Sequence, residues 1–196
     1  MEVLKAIAEL TGTPVALDVA KSRLPKSGGL YAWWMLGSAL PGVLAPKHPA
    51  QPDLSLLYIG IAPNGQLSSA TLHSRVVGNH MTGNIAASTL RRTLASLLIE
   101  TLALQPIKKV SKKIVLPRDQ NTRLSAWQKE HLRLTWHPTP QPWILEASVI
   151  SSLRPPLNLA DNETHPFYEK LVAARRALNL AAKEASDRIR RSRQSP

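Results

Sequence analysis

The sequence predicts an α+β domain: a small three-stranded central sheet, mixed or antiparallel, flanked by helices, with a helical N-terminal segment and a basic C-terminal helix. Three observations carry that expectation. Residues 29–36 (GLYAWWML) and 55–62 (SLLYIGIA) are apolar, aromatic-bearing runs of strand length. Residues 131–137 (HLRLTWH) alternate, with Leu132, Leu134 and Trp136 pointing one way and Arg133, Thr135 and His137 the other. The segments around them space their apolar residues as helices do. A chain of 196 residues suits one domain with extensions, or at most two small ones.

In chain order, residues 2–24 read as one or two short helices, with Val3, Ile7 and Leu10 at helical spacing. A break at 25–29 leads into the first strand. Residues 37–53 hold Pro41, Pro46, Pro49 and Pro52, so a long loop joins the first two strands into a hairpin. A short helix over about 70–77 stops near Gly78 and Asn79, both good C-terminal residues. Ser88 caps a helix that runs to about residue 104. It carries Leu90, Leu94, Leu97 and Leu98 on one side and places Arg91 and Arg92 on the outer face. Lys108, Lys109, Lys112 and Lys113 follow as a basic run, and Asp119 or Asn121 caps a helix through about Glu130. After the third strand, a helix over about 142–153 stops before Pro155 and Pro156. The last helix, about 166–190, grows basic toward Arg188, Arg190, Arg191 and Arg193. These elements divide the chain into an N-terminal extension (1–27), a central domain (28–162) and a basic tail (163–196).

Composition narrows the function classes. Hydrophobic residues make up 43%, enough to bury a core, and charged residues only 19%. Lys and Arg outnumber Asp and Glu by 25 to 13, a net charge of +12. That balance favours a polyanionic partner. The absence of cysteine excludes disulfides, thiolate metal sites and cysteine nucleophiles. No stretch approaches the roughly 18 apolar residues of a membrane span, and the N-terminus does not read as a signal peptide. The expectation is a cytoplasmic protein that does not use a membrane.

Three polar residues sit where apolar ones are expected. On a helical wheel with Glu146 at zero, Trp143, Val149, Ile150 and Leu153 all lie within about 60°. Glu146 is therefore inside the apolar stripe, where a carboxylate must be paired, protonated or bound to a metal. A structural ion pair explains this as well as a functional site does. Tyr31 and Tyr58 lie inside strand runs and need hydrogen-bond partners if buried. Gly29 and Gly60 beside them suggest a close backbone approach.

Gly29-Leu30-Tyr31 and Tyr58-Ile59-Gly60, in order on two successive strands, resemble the two signature tripeptides of the GIY-YIG endonuclease superfamily, the first with Leu for Ile. The resemblance continues with Arg75 on a short helix, Glu146 on a helix after the third strand, and Asn158 after a proline-containing turn, covering roughly residues 28–160. Two features depart from the pattern. The connection at 32–57 is longer than the family's turn. The family often places a His or Tyr four residues after the arginine, whereas His80 is the fifth. Local unwinding at Gly78 would bring His80 into place; a regular helix would point it elsewhere.

The resemblance implies a metal-dependent endonuclease that hydrolyses DNA phosphodiesters at one site. Glu146 would bind one divalent ion, Mg²⁺ or Mn²⁺. Arg75 would hold the scissile phosphate. Tyr31 and Tyr58 would activate or orient the attacking water, with the base role open between them. Asn158 would orient a neighbour or the backbone near Glu146, and His80 would transfer a proton or touch phosphate. Arg91, Arg92, Lys108, Lys109, Lys112 and Lys113 are candidate contacts to the nucleic-acid backbone. DNA is the expected partner, with RNA open as a substrate and a dimer open as an assembly. The alternative is a nucleic-acid-binding module on the same scaffold that has lost catalysis.

Overall fold

The computed structural model describes residues 1–40 and 42–192, so Pro41 and Arg193 of the basic tail lie outside the described residues. The N-terminal segment holds α1 (Glu2–Leu10), a two-residue strand β1 (Val15–Ala16) and α2 (Leu17–Arg23). The two apolar runs form β2 (Gly29–Leu36) and β3 (Leu54–Ala62). A π-helix follows at Ser74–Met81, then α3 (Thr89–Leu97). A small hairpin, β4 (Ile107–Lys108) and β5 (Ile114–Val115), precedes α4 (Arg118–His131) and β6 (Leu132–Pro138). A 3₁₀ turn at Pro142–Ile144 leads into α5 (Glu146–Leu153), and α6 (Tyr168–Ser192) ends the described chain. No helix among the described residues is long and apolar enough to cross a membrane.

The sheet is antiparallel, in the order β1-β6-β2-β3. Its three long strands are those the patterning predicts. The fourth, Val15–Ala16, lies where helix was expected, because two residues are too few to show a period. Ser88 caps α3 by accepting from the Arg91 N–H at 3.0 Å, but the helix stops at Leu97 rather than near 104. The 107–115 stretch, expected only as a basic run, pairs as a hairpin.

Both faces of the sheet are covered, so the alternation in β6 does not separate core from solvent. One face receives Tyr31, Trp33 and Met35 from β2 and Leu132 and Leu134 from β6. They pack with Leu72 and Val76 before and within the π-helix, Leu90 and Leu94 of α3, Leu124 of α4, and Leu171 and Leu178 of α6. The other face receives Leu30, Ala32 and Trp34 from β2 and Ile59 and Ile61 from β3. Ala6 and Leu10 of α1, with Leu145, Val149 and Ile150, close over it. The N-terminal helix is thus half of the second core. Thr135 and His137 face it and are buried with partners: Thr135 donates to the Leu10 carbonyl at 2.5 Å, and His137 lies 2.8 Å from Glu9.

The long connection between β2 and β3 is tied down at His48. Its Nδ1 accepts from the Ala50 and Gln51 N–H groups at 3.2 and 3.1 Å, so its Nε2–H donates to the Gly12 carbonyl at 2.7 Å.

Candidate active site

Strand pairing puts the two tyrosines on one face. Tyr31 lies opposite Gly60, and Trp33 opposite Tyr58, so the phenols are diagonal neighbours. Gly60 is what makes this possible: a Cβ there would collide with the Tyr31 ring and hydroxyl. The two tripeptides are therefore one steric unit, in which the glycine of the second makes room for the tyrosine of the first. At Gly29, a Cβ would likewise run into the His137 carbonyl and Leu72.

The π-helix resolves the spacing of the histidine. In an i→i+5 helix, the residue five on from Arg75 takes the place that the residue four on holds in an α-helix. The widened turn is visible where the Thr82 N–H donates to the Val77 carbonyl at 3.2 Å. Gly78, exposed and poor at holding α-helical geometry, lies inside it. His80 is consequently fully buried, with Nε2 2.6 Å from the Tyr31 hydroxyl and Nδ1 2.6 Å from the Ser88 hydroxyl. Burial, then the charges of Arg75 and Arg91, lower its pKa to about 3, so the ring is neutral. Its place behind Tyr31 rules out the phosphate contact considered for it.

Arg75 stands at the electrical centre of the site. Its charge pulls down both tyrosines and Glu146 and opposes protonation of His80. Its Nε is buried without a hydrogen-bond partner, and no carboxylate pairs with it among the described residues. Burial, and then Tyr58, raise Tyr31 well above the ordinary tyrosine pKa. Burial pushes Tyr58 up to about 12, against the opposing pull of Arg75. Neither phenol ionises near neutral pH without added positive charge.

Glu146 opens α5 and is half-buried. The preceding 3₁₀ turn breaks the single wheel expected over 142–153, so the buried stripe is Leu145, Val149 and Ile150, with Glu146 at its N-terminal end. Helical side chains lean toward the N-terminus, so the carboxylate projects past the helix end. Both tyrosines feel its charge. Burial, then the nearby Asp161, raise its pKa, and Arg75 offsets part of that. The carboxylate has no hydrogen bond or ion pair among the described residues.

A carboxylate in that state could hold a hard cation. No group of three or more acidic or histidine side chains gathers among the described residues. Glu146, with the Asp161 carboxylate nearby, is the side chain that would hold such an ion.

Asn158 is buried against the outer edge of β3. Its Oδ1 accepts from the Ile59 N–H at 2.9 Å and its Nδ2 donates to the Ile59 carbonyl at 2.8 Å. Beside it, the Leu157 N–H donates to the Leu57 carbonyl at 2.9 Å. The amide thus holds the strand segment between Tyr58 and Gly60, rather than touching Glu146 directly.

The basic residues separate. Arg91 is fully buried, contrary to its expected place on the outer face. It donates to the carbonyls of His80, Met81 and Asn121 and to the side chains of Asn121 and Gln128. It is a strut beneath the π-helix and cannot touch a nucleic acid from there. Arg92 is half-exposed and donates to Asn179 of α6 at 2.7 Å. Lys108, Lys109, Lys112 and Lys113 are exposed on the β4–β5 hairpin. Lys108, Lys109 and Lys112 border a groove of about 1060 Å³ against α6, to which Lys183 and Arg190 also contribute.

Two residues of the site escaped the sequence reading. Ser88 was read only as a cap. Arg175 was read only as part of a basic helix, although it lies between Leu171 and Leu178 on the buried stripe of α6. Arg175 is half-buried; burial and then Arg92 lower its pKa, while Tyr58 raises it, which places it beside that phenol. The wheel argument that singled out Glu146 would have found it.

A family model described as the GIY-YIG catalytic domain matches residues 29–177, from the first residue of β2 into α6. No curated protein and no solved structure matches. With most of the chain covered, and with both tripeptides, Arg75, Glu146 and Asn158 inside the match, the chain belongs to the GIY-YIG catalytic domain family, whose function is of nuclease type.

Proposed function

We propose that this chain is a metal-dependent DNA endonuclease with a single active site formed by Tyr31, Tyr58, Arg75 and Glu146, working in the cytoplasm. The observation that carries the reading is the state of the two central charges. Arg75 and Glu146 lie within electrostatic reach of both phenols, and neither is neutralised by an ion pair. A structural ion pair would have left no such opening; an oxyanion substrate and a cation fill it.

Glu146 is the residue that would hold one divalent ion, Mg²⁺ or Mn²⁺, which when bound supplies positive charge against phosphate oxygens and acidifies water. Arg75 binds the non-bridging oxygens of the scissile phosphate and stabilises the charge that accumulates there in the transition state. Tyr31 and Tyr58 orient the attacking water, and one of them takes its proton at Oη once neighbouring positive charge has let it ionise. Asn158 positions Tyr58 through the backbone of Ile59. Arg92 and the lysines of the β4–β5 hairpin contact phosphates away from the cut, contributing affinity without sequence preference.

Supercoiled plasmid with Mg²⁺ tests this. The wild-type chain nicks or linearises it, EDTA stops the reaction, and Glu146→Ala lowers the rate by at least about 10³-fold. Retardation of the plasmid in a gel without any cutting would overturn the enzymatic reading and leave a binding module. Substituting single-stranded RNA in the same assay decides between nucleic acids.

A further inference from the structure

Two arginines meet where α3 packs against α6. Arg92 of α3 donates from Nη2 to Asn179 Oδ1 at 2.7 Å. Arg175 lies one turn before Asn179 on the same side of α6. The two guanidiniums are therefore neighbours, and the charge of Arg92 bears on Arg175. Both side chains are half-buried. Like charges held together in a partly desolvated place repel, and an acidic partner ordinarily offsets this. Neither arginine pairs with a carboxylate among the described residues. Arg92 Nε is buried without an acceptor, and Arg175 has no hydrogen bond among the described residues. The one polar group that engages the pair, Asn179, is neutral and leaves both charges unspent. The pair also borders the active site. Tyr58 packs on the same core as Leu171 and Leu178, which flank Arg175 along its stripe. The charge of Arg75 reaches both phenols, and that of Arg175 reaches Tyr58.

We propose that Arg92 and Arg175 together form a second phosphate subsite, which grips the phosphate next to the one held by Arg75 on the same nucleic-acid strand. The inference rests on the reading that Arg75 holds the scissile phosphate. Phosphate oxygens accept from two guanidinium forks at once, so one phosphate cancels the repulsion between the arginines and supplies the acceptor that Arg92 Nε lacks. Asn179 holds Arg92 in place without consuming its charge. The subsite reads backbone, not base, and therefore adds no sequence preference. Its position has a different use. Two phosphates anchored on either side of one nucleoside fix both the register of the cut and the direction in which the strand crosses Tyr58. The hairpin lysines, exposed and separate from the phenols, supply general attraction and no such register.

Titration calorimetry in EDTA with thymidine 3′,5′-bisphosphate, and with the 3′- and 5′-monophosphates, tests this without any assay of cleavage. The full chain is expected to bind the bisphosphate about tenfold or more tighter than either monophosphate, because one molecule spans both subsites. Arg175→Met and Arg92→Met keep the apolar stems and should each abolish that advantage. The double variant should lose no more than either single one, since both arginines hold the same phosphate. Equal affinities for bisphosphate and monophosphates in the wild type overturn the proposal, as does an advantage that survives both single variants. Losses that multiply in the double variant overturn the sharing of one phosphate. Melting curves in phosphate-free buffer separate binding from packing: Arg175→Met relieves a repulsion and should melt no lower than wild type. A lower melting temperature together with an intact bisphosphate advantage makes Arg175 a structural residue and sinks the subsite. A wild type that shows the advantage but cuts no plasmid refutes only the nuclease reading.

Discussion

The two faces of the central sheet are built from the same strands to opposite ends. Beneath α1 and α5, Leu30, Ala32, Trp34, Ile59 and Ile61 make an apolar core, and its few polar groups close on one another. Trp34 Nε1–H donates to Thr135 at 3.0 Å, and Thr135 donates to the Leu10 carbonyl. Beneath the π-helix, Tyr31 and Tyr58 line a face where polar groups are buried in series, and two charges at its border are left over. One face is satisfied within the chain; the other leaves Arg75 Nε and the Glu146 carboxylate unpaired among the described residues. A polar group that is buried, well positioned and unspent is therefore a better marker of the site than any cavity here.

The comparison breaks most visibly at Arg75. Arg75→Ala should lower cleavage of saturating plasmid by about 10² to 10³-fold while leaving the far-ultraviolet spectrum unchanged. An active Arg75→Ala would remove the guanidinium from the chemistry. On the complete face, Leu10→Ala should cost about 2–5 kcal/mol of unfolding free energy in a urea titration, with the cleavage rate per folded molecule preserved. A large rate defect in that variant would mean the faces are coupled.

A pH series sharpens the contrast further. His80 titrates near 6.5 when unfolded and near 3 when folded, so between those values the unfolded chain binds the extra proton. Stability contributed by keeping this ring neutral is intact above pH 6.5 and is lost progressively as pH falls toward 3. Melting temperatures over that window should drop less in His80→Gln than in wild type. The smallest effect belongs to Arg175→Ala. It should weaken DNA binding uniformly across sequences and flatten the logarithmic salt dependence by about one unit. An unchanged slope would place Arg175 outside the phosphate contacts.

How much of this was legible in the sequence depended on the range of the interaction. The three long strands follow from two apolar runs of strand length and one two-residue period, whereas the shared face of Tyr31 and Tyr58 also needs the pairing register. Glu146 stood out against its neighbours within one helical turn, although the 3₁₀ start of that helix shifted its stripe. Asn158 was found by its motif, but its partner, Ile59, lies 99 residues away. Arg91 was misplaced for the same reason: its bonds to Asn121 and Gln128 span 30 and 37 residues, and local pattern gives an arginine no cause to face inward. The widening at Gly78 accompanies contacts of His80 to Tyr31 and Ser88, the first 49 residues away, which local pattern does not show. β1 and the β4–β5 hairpin are too short to carry a period at all.

The amide of Asn158 has one more consequence. β3 is the last strand of its sheet, and an open rim of that kind invites another polypeptide to dock as an extra rung. By occupying both hydrogen-bonding groups of Ile59, this side chain closes one stretch of the rim, beside those that the backbone near Pro46–His48 and Leu157 already cover. Keeping the nuclease pocket in shape and keeping neighbouring molecules from stacking onto one another are, at this position, the same task.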